Sequence, residues 1–162
     1  MIYIGIDNGI SGGIAAIGEC GYLIHRWVMP VQRARKGNEI DVVALYAIFH
    51  DATNDGQIKT TYIIEEPGGS KSAKAAASMA GSFHAVRALL ENRGKRWHRV
   101  TPKQWHRVML PGAKGDTKPR ALAKARQRWP DEKWLASDRC RTPHDGMIDA
   151  ALIAEWGRLG RI

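Results

Sequence analysis

The chain opens on an apolar, mostly β-branched run, Ile2-Tyr3-Ile4-Gly5-Ile6, that closes on Asp7. Such a run, followed by the glycine-rich stretch 8–13, predicts a buried strand and a turn. Two more strands are predicted over 13–18 and 21–29, folded about Glu19-Cys20-Gly21, so the chain starts as a three-strand antiparallel meander. Residues 31–37 read as a basic loop. Asn38 then has the character of an N-cap, with Glu39 and Asp41 in the first turn of a helix to about His50. Its apolar positions Ile40, Val43, Ala44, Ala47 and Ile48 recur at helical spacing.

Residues 60–66 read as a strand that ends in Glu65-Glu66 and is broken by Pro67-Gly68-Gly69. Ser70 or Ser72 caps a long Ala-rich helix to about Arg93, closed by Gly94. A short strand is expected over 97–100. Thr101-Pro102-Lys103-Gln104 has the form of a capping box with Pro at the first helical position, opening a short helix that ends before Pro111-Gly112. A loop at Lys114-Gly115-Asp116 leads to a basic helix over 117–129, stopped by Pro130. Residues 131–143 read as irregular, and a last helix runs from about 144 to 158. The order β-β-β-α-β-α-β-α-α-α predicts an α/β domain over residues 1–162, a mixed sheet with helices on its faces and right-handed crossovers.

Composition narrows the class. The 162 residues are 44% hydrophobic and 25% charged, which fits a globular chain rather than a disordered one. The apolar runs fall well short of the ~20 residues that span a bilayer. The first residues lack a basic segment and a cleavage site, so no secretory signal is expected. Cys20 and Cys140 stand far apart, which excludes a disulfide framework and a zinc site and suits a reducing cytosol. Net charge is +9, unevenly spread: residues 1–80 carry 7 Lys/Arg against 8 Asp/Glu, and residues 81–162 carry 18 against 8. One strongly positive face points to a polyanion, most simply nucleic acid. The plainer alternative is a basic surface that serves solubility.

Against this basic background, a few carboxylates stand out. Asp7 ends the first strand, Glu65 and Glu66 the fourth, and Asp145 and Asp149 share one face of the last helix at i, i+4. Sites in open α/β sheets form at the carboxyl ends of parallel strands. If the first and fourth strands are neighbours, Asp7 and a glutamate meet there, and the last helix can bring its aspartates to the same point. Side-chain alternation lets only one of Glu65 and Glu66 face that point. So many carboxylates together call for cations, and oxygen-only ligands favour Mg²⁺ or Mn²⁺, two of which can clamp a phosphodiester. Each element also has a bland reading: Asp7 as a turn former and Asp145 as a partner of the helix dipole. Asp149 is more telling, because it interrupts the apolar run from Met147 to Ala154.

In these residues the chain resembles the RuvC-type Holliday-junction resolvases of the ribonuclease H-like superfamily, over nearly its whole length. Ile4-Gly5-Ile6-Asp7-Asn8-Gly9 is similar to the family's first strand and catalytic Asp. Tyr62-Ile63-Ile64-Glu65-Glu66 is similar to its second motif, with Glu65 in the catalytic position. His144-Asp145-Gly146-Met147-Ile148-Asp149-Ala150 is similar to the closing motif, with the four-residue spacing of the shorter phage-type members. Val100-Thr101-Pro102-Lys103-Gln104-Trp105 and Gly115-Asp116-Thr117-Lys118 also look like family segments.

The resemblance implies a ribonuclease H-like mixed five-stranded sheet flanked by helices. It also implies a crossover junction endodeoxyribonuclease with Asp7, Glu65, Asp145 and Asp149 as catalytic residues and ligands of two Mg²⁺ or Mn²⁺ ions. Lys118 matches a family lysine, expected at the scissile phosphate. A homodimer would present two sites to a four-way DNA junction and hydrolyse it to 5′-phosphate and 3′-hydroxyl ends. Such an enzyme works in a bacterial cytoplasm, host- or phage-encoded, and has no membrane partner.

Around the carboxylates, Arg33, Arg35, Lys36, Lys71, Lys74, Lys114, Lys118, Arg139 and Arg141 are candidate DNA contacts. For the cluster at 33–36 a merely solvated loop stays open. Ser70, Lys71, Ser72 and Lys74 form either a DNA-contacting loop or an ordinary capped helix start. The Ala-rich helix serves either a dimer axis or plain packing. The tryptophans of the basic half are core residues for the most part, though one could stack on an unpaired base. His144 either positions water or starts the last helix. Two other functions share much of this pattern: a nuclease for other branched DNA or RNA–DNA hybrids, and a non-catalytic nucleic-acid-binding module.

Overall fold

The computed structural model describes residues 1–35, 37–69, 72–112 and 115–162. The chain runs β1 (Ile2–Asp7), β2 (Gly13–Gly18), β3 (Leu23–Val28), β4 (Val31–Ala34), β5 (Gly37–Ile40), α1 (Val42–Ala52), β6 (Thr60–Glu65), α2 (Ala73–Asn92), β7 (Trp97–Val100), α3 (Pro102–Met109), α4 (Thr117–Arg128) and α5 (Asp145–Arg158). Five strands form one mixed sheet in the order β3-β2-β1-β6-β7. The first three are antiparallel, and β1, β6 and β7 run parallel. This is the flanked five-stranded α/β sheet expected from the sequence. Among the described residues no helix is long and apolar enough to cross a membrane.

Strand alternation sorts the core onto two faces. Ile4, Ile6, Tyr62 and Ile64 project to one side and pack with Leu45 and Phe49 of α1 and Phe83, Val86 and Leu90 of α2. Ala15, Ile17 and Ile63 project to the other, under Trp105, Trp129, Trp134 and most of α5. Each fully buried Ile or Leu contributes roughly 1.5–3 kcal/mol relative to exposure. A buried ion cluster ties the far end of α5: Glu155 accepts from Arg128 Nε at 3.0 Å and from Arg158 Nε at 2.6 Å.

The segment after the meander differs from expectation. Val31–Ala34 is a strand rather than part of a loop, and Asn38 lies in a strand and does not cap a helix. Instead β4 and β5 form a separate two-stranded hairpin in which Arg33 pairs with Asn38 and Val31 with Ile40. Gly37, at φ +123°, adopts a backbone that other residues rarely reach, and so turns the chain back on itself. Strand geometry carries Ile40 into the core, while Gln32 bonds Glu39 across the hairpin at 3.0 Å. The cap of α1 is Asp41, whose Oδ1 accepts from the N–H groups of Val43 and Ala44 at 3.1 and 2.9 Å. Elsewhere the shifts are of one or two residues. Ser72 caps α2, Thr101 and Gln104 form the expected capping box, and His144 caps α5.

Helix α5 is buried on all sides from Gly146 to Gly157 except at Asp149. Glycine lets it lie directly on the sheet. A Cβ on Gly5 would come within 2.0 Å of the Ala150 carbonyl oxygen and 2.5 Å of the Ala154 nitrogen. A Cβ on Gly146 would lie 2.5 Å from the Gly12 backbone, and one on Gly13 would lie 2.7 Å from the Gly146 backbone. Gly12 and Gly146 also form a parallel β-bridge, so the first turn of α5 joins the end of the sheet.

Because the neighbours at these positions are backbone atoms that cannot swing aside, Gly5→Ala and Gly146→Ala should each cost about 3 kcal/mol or more in urea unfolding. Gly81→Ala in the middle of α2, where nothing lies within 4 Å, should stabilise by about 0.5–1 kcal/mol. Equal small effects at all three positions would mean that the helix does not rest on the sheet this closely.

Candidate active site

Asp7 is the last residue of β1, and Glu65 is the last of β6. Ile6 pairs with Ile64, so the two carboxylates end adjacent parallel strands in matching register. Alternation sends Asp7 to the face of Gly5, and Glu65 to the face of Ile63, the side on which α5 packs. Glu66 falls one position out of that phase. Asp149 is the residue of α5 that faces this point, one helical turn beyond Asp145.

Polar contacts hold Asp7, Glu65 and Asp145. The Gly9 N–H donates to Asp7 Oδ1 at 3.3 Å, inside a turn closed by Gly12 N–H to Gly9 O at 2.8 Å. The buried Asn8 side chain donates to the Glu65 main-chain carbonyl and so links the ends of β1 and β6. The Trp105 indole N–H donates to Glu65 Oε1 at 2.6 Å. At the start of α5, His144 Nδ1 accepts from Met147 N–H at 3.3 Å, which makes this histidine a helix-start residue. Lys118, in the first turn of α4, reaches Asp145 Oδ2 with its Nζ at 2.7 Å.

The electrostatics follow from burial without full compensation. Burial pushes Asp7 up to about 6, with the Gly9 N–H pulling the other way. Asp149 rises to about 7, first through burial and then through the charges of Asp7 and Asp145, against the opposing Lys118. Glu65 rises to about 8 through burial and the charge of Asp7; the Trp105 N–H opposes this and Asp149 adds to it. Its hydrogen bond to Asp145, and then the charge of that carboxylate, hold Lys118 above the ordinary lysine value.

These carboxylates are a hard, all-oxygen donor set with more negative charge than the surroundings neutralise, which fits a divalent cation of the Mg²⁺ or Mn²⁺ kind. As the side chains stand, no three His, Cys, Asp or Glu among the described residues form a ready metal cage. Asp145 in particular is engaged by Lys118. Beside the carboxylates an open groove of about 490 Å³ runs along the first turns of α2, lined by Asp7, Glu65, Glu66, Ser72, Lys74 and Ser78.

The structure thus brings together Asp7, Glu65, Asp145, Asp149 and Lys118, with Lys74 across the groove. Arg33 and Arg35 lie exposed on the β4–β5 hairpin, and a second groove between that hairpin and α2 also touches Ser78. Arg139 and Arg141 are exposed on the segment leading into α5. Lys36, Ser70, Lys71 and Lys114 lie outside the described residues. Sequence reasoning did not single out Asn8 or assign Trp105 a partner. A tryptophan directly after a capping box that follows the neighbouring strand was the available signal, but its meaning depends on the sheet order.

No protein-family model and no curated protein matches the chain. Solved structures do match it, and they share its mixed five-stranded α/β sheet flanked by helices. One is T. thermophilus RuvC in complex with Holliday junction substrate, 19% identical, with a TM-score of 0.64 over 99% of this chain and 96% of that one. Another is a Thermus thermophilus RuvC structure, 18% identical, with a TM-score of 0.61 over 99% of this chain and 97% of that one. The chain has the RuvC fold from end to end.

The raised carboxyls have a consequence for stability. Each keeps its proton in the fold at pH values where the unfolded chain, titrating near pH 4, has lost it. Their ionisation therefore makes stability fall as pH rises from about 4 toward 8. In EDTA at pH 8, Asp7→Asn should be more stable than the parent by about 1–3 kcal/mol in urea unfolding, and the gap should close at pH 4. A variant equally or less stable at pH 8 would show that Asp7 does not suffer the charge crowding described.

Proposed function

We propose that this chain is a divalent-metal-dependent endonuclease that resolves four-way DNA junctions, acting as a homodimer with one site per subunit. The observation that carries the reading is the coupled set of Asp7, Glu65 and Asp149 at the carboxyl ends of β1 and β6, inside a chain with the RuvC fold and a net charge of +9. A protein that only bound nucleic acid would gain nothing from buried carboxylates that repel phosphate.

In this reading Asp7, Glu65, Asp145 and Asp149 hold two Mg²⁺ or Mn²⁺ ions. When bound, such ions supply water activation and stabilise charge on the leaving 3′ oxygen. The chain's own residues do the rest. Asp7 and Glu65 set the floor of the site because the sheet fixes their spacing. Lys118, whose Nζ is held beside the site by Asp145, would reach the scissile phosphate and balance charge there in the transition state. Lys74, and Arg33, Arg35, Arg139 and Arg141 on the surface, hold the DNA backbone, as would Lys36, Lys71 and Lys114.

The test is cleavage of synthetic four-way junctions beside flaps and RNA–DNA hybrids, with Mg²⁺ and with EDTA. The junction should be cut in preference, and only with the metal. Comparable cutting of flaps or hybrids would move the assignment to another branched-nucleic-acid nuclease, and no cutting of any substrate would favour the binding module.

Asp7→Asn and Asp149→Asn should lose more activity than the ~10–100-fold typical of losing an outer partner of a metal site, while still binding junctions. Glu65→Gln should be inactive and Glu66→Gln active; the reverse would put the strand ends one residue out of phase. Binding should weaken steeply with salt, by about 0.9 in log K per log unit of salt for each phosphate neutralised. Lys118→Ala should change that slope by only about one unit while slowing cleavage at saturating DNA. Normal cleavage by this variant would leave Lys118 as no more than the surface partner of Asp145.

A further inference from the structure

We infer that Trp105 is a positioning residue for Glu65, whose indole N–H holds one carboxylate oxygen and leaves the other free to face a cation. This rests on the metal-dependent reading of the site and extends it to a residue that touches neither DNA nor metal. Trp105 is 1% exposed and its Nε1 lies 2.6 Å from Glu65 Oε1. It is held from its own side by α3, which the Thr101–Gln104 capping box starts directly after β7. β7 pairs with β6, and Val100 lies opposite Glu65, so the donor and acceptor belong to neighbouring strands and their immediate extension.

Two further features favour positioning over mere satisfaction of a buried indole. The core does not demand a carboxylate for this purpose: Trp129 Nε1 donates to the Gly21 carbonyl at 3.1 Å, and the Trp134 Nε1 is buried with no partner among the described residues. Of these three buried indoles only Trp105 is aimed at an acidic side chain. A neutral donor also orients a carboxylate without cancelling its charge. A lysine or arginine there would compete with the incoming cation, as Lys118 does at Asp145. The Asn8 side chain fixes the Glu65 main chain from the opposite side, so both the backbone and the carboxylate of this residue are held before any ligand arrives.

The experiment uses the ¹⁵N-labelled full chain, in which Trp105→Phe identifies the Trp105 indole cross-peak among those of the six tryptophans. Adding Mg²⁺ to the metal-free parent should move the Trp105 peak more than the other five, and the response should vanish in Glu65→Gln. In junction cleavage, Trp105→Phe should lower kcat about 10–100-fold and raise the Mg²⁺ concentration for half-maximal rate by a similar factor, with metal-free junction binding within about twofold of the parent. A Trp105 peak that ignores Mg²⁺, or a Trp105→Phe chain that cuts at the parental rate with the parental metal requirement, would overturn the inference. If the variant fails to fold, the titrations of parent and Glu65→Gln still decide it, with the peak assigned through its change on Glu65→Gln substitution. If the parent cuts no branched DNA, the endonuclease reading fails, and the titration separately decides the role of Trp105.

Discussion

The architecture depends on one close approach. Helix α5 lies against β1 and β2 with no side chain between backbones at Gly5, Gly12, Gly13 and Gly146. A helix normally packs with its axis about 10 Å from its neighbour, side chains filling the gap. Here the gap is removed from Gly146 in the first turn to Ala154 further along, and the first turn of α5 is drawn into a β-bridge with Gly12. That contact carries Asp149 into reach of Asp7, so a packing constraint creates the electrostatic one. The turn between Asp7 and Gly13 serves both: its glycines admit the helix, and its Gly9 N–H holds the aspartate.

Two carboxylates on α5 show how differently burial can be handled. Glu155 is 4% exposed, yet hydrogen bonds from Arg158 and Arg128 outweigh its desolvation and hold it below the usual range. Asp149, one and a half turns earlier, sits among Asp7, Glu65 and Asp145, and is pushed up instead. The first arrangement is a closed ion cluster that pins the end of the helix to the β2–β3 turn, where Arg158 also donates to the Glu19 carbonyl at 3.2 Å. The second leaves charge uncompensated at the mouth of a groove. A protein with 25 Lys and Arg leaves that site acidic, and this is what the proposed cation site rests on.

Much of this was legible in the sequence because the signals are local. The β1 and β6 runs are too apolar and β-branched to be anything but buried strands, and the capping box at Thr101 acts within four residues. The i, i+4 spacing of Asp145 and Asp149 needs only a helix to put both on one face. The hairpin at 31–40 was not legible: its strands are short and polar, and Asn38-Glu39 imitates a helix start, while the deciding feature is the positive φ of Gly37. Trp105 and Asn8 were hidden for another reason. Each acts on Glu65 across a gap of many residues, and only the order of β1, β6 and β7 reveals that they are neighbours.

The central claim is that the ends of β1 and β6 and the face of α5 form one cation site. The most direct measurement is an anomalous-difference map from crystals of the full chain soaked in Mn²⁺. The account predicts density between Asp7, Glu65 and Asp149, with Asp145 released from Lys118 to join them. Mn²⁺ bound elsewhere on the surface, with these carboxylates empty and Asp145 still paired to Lys118, would contradict it.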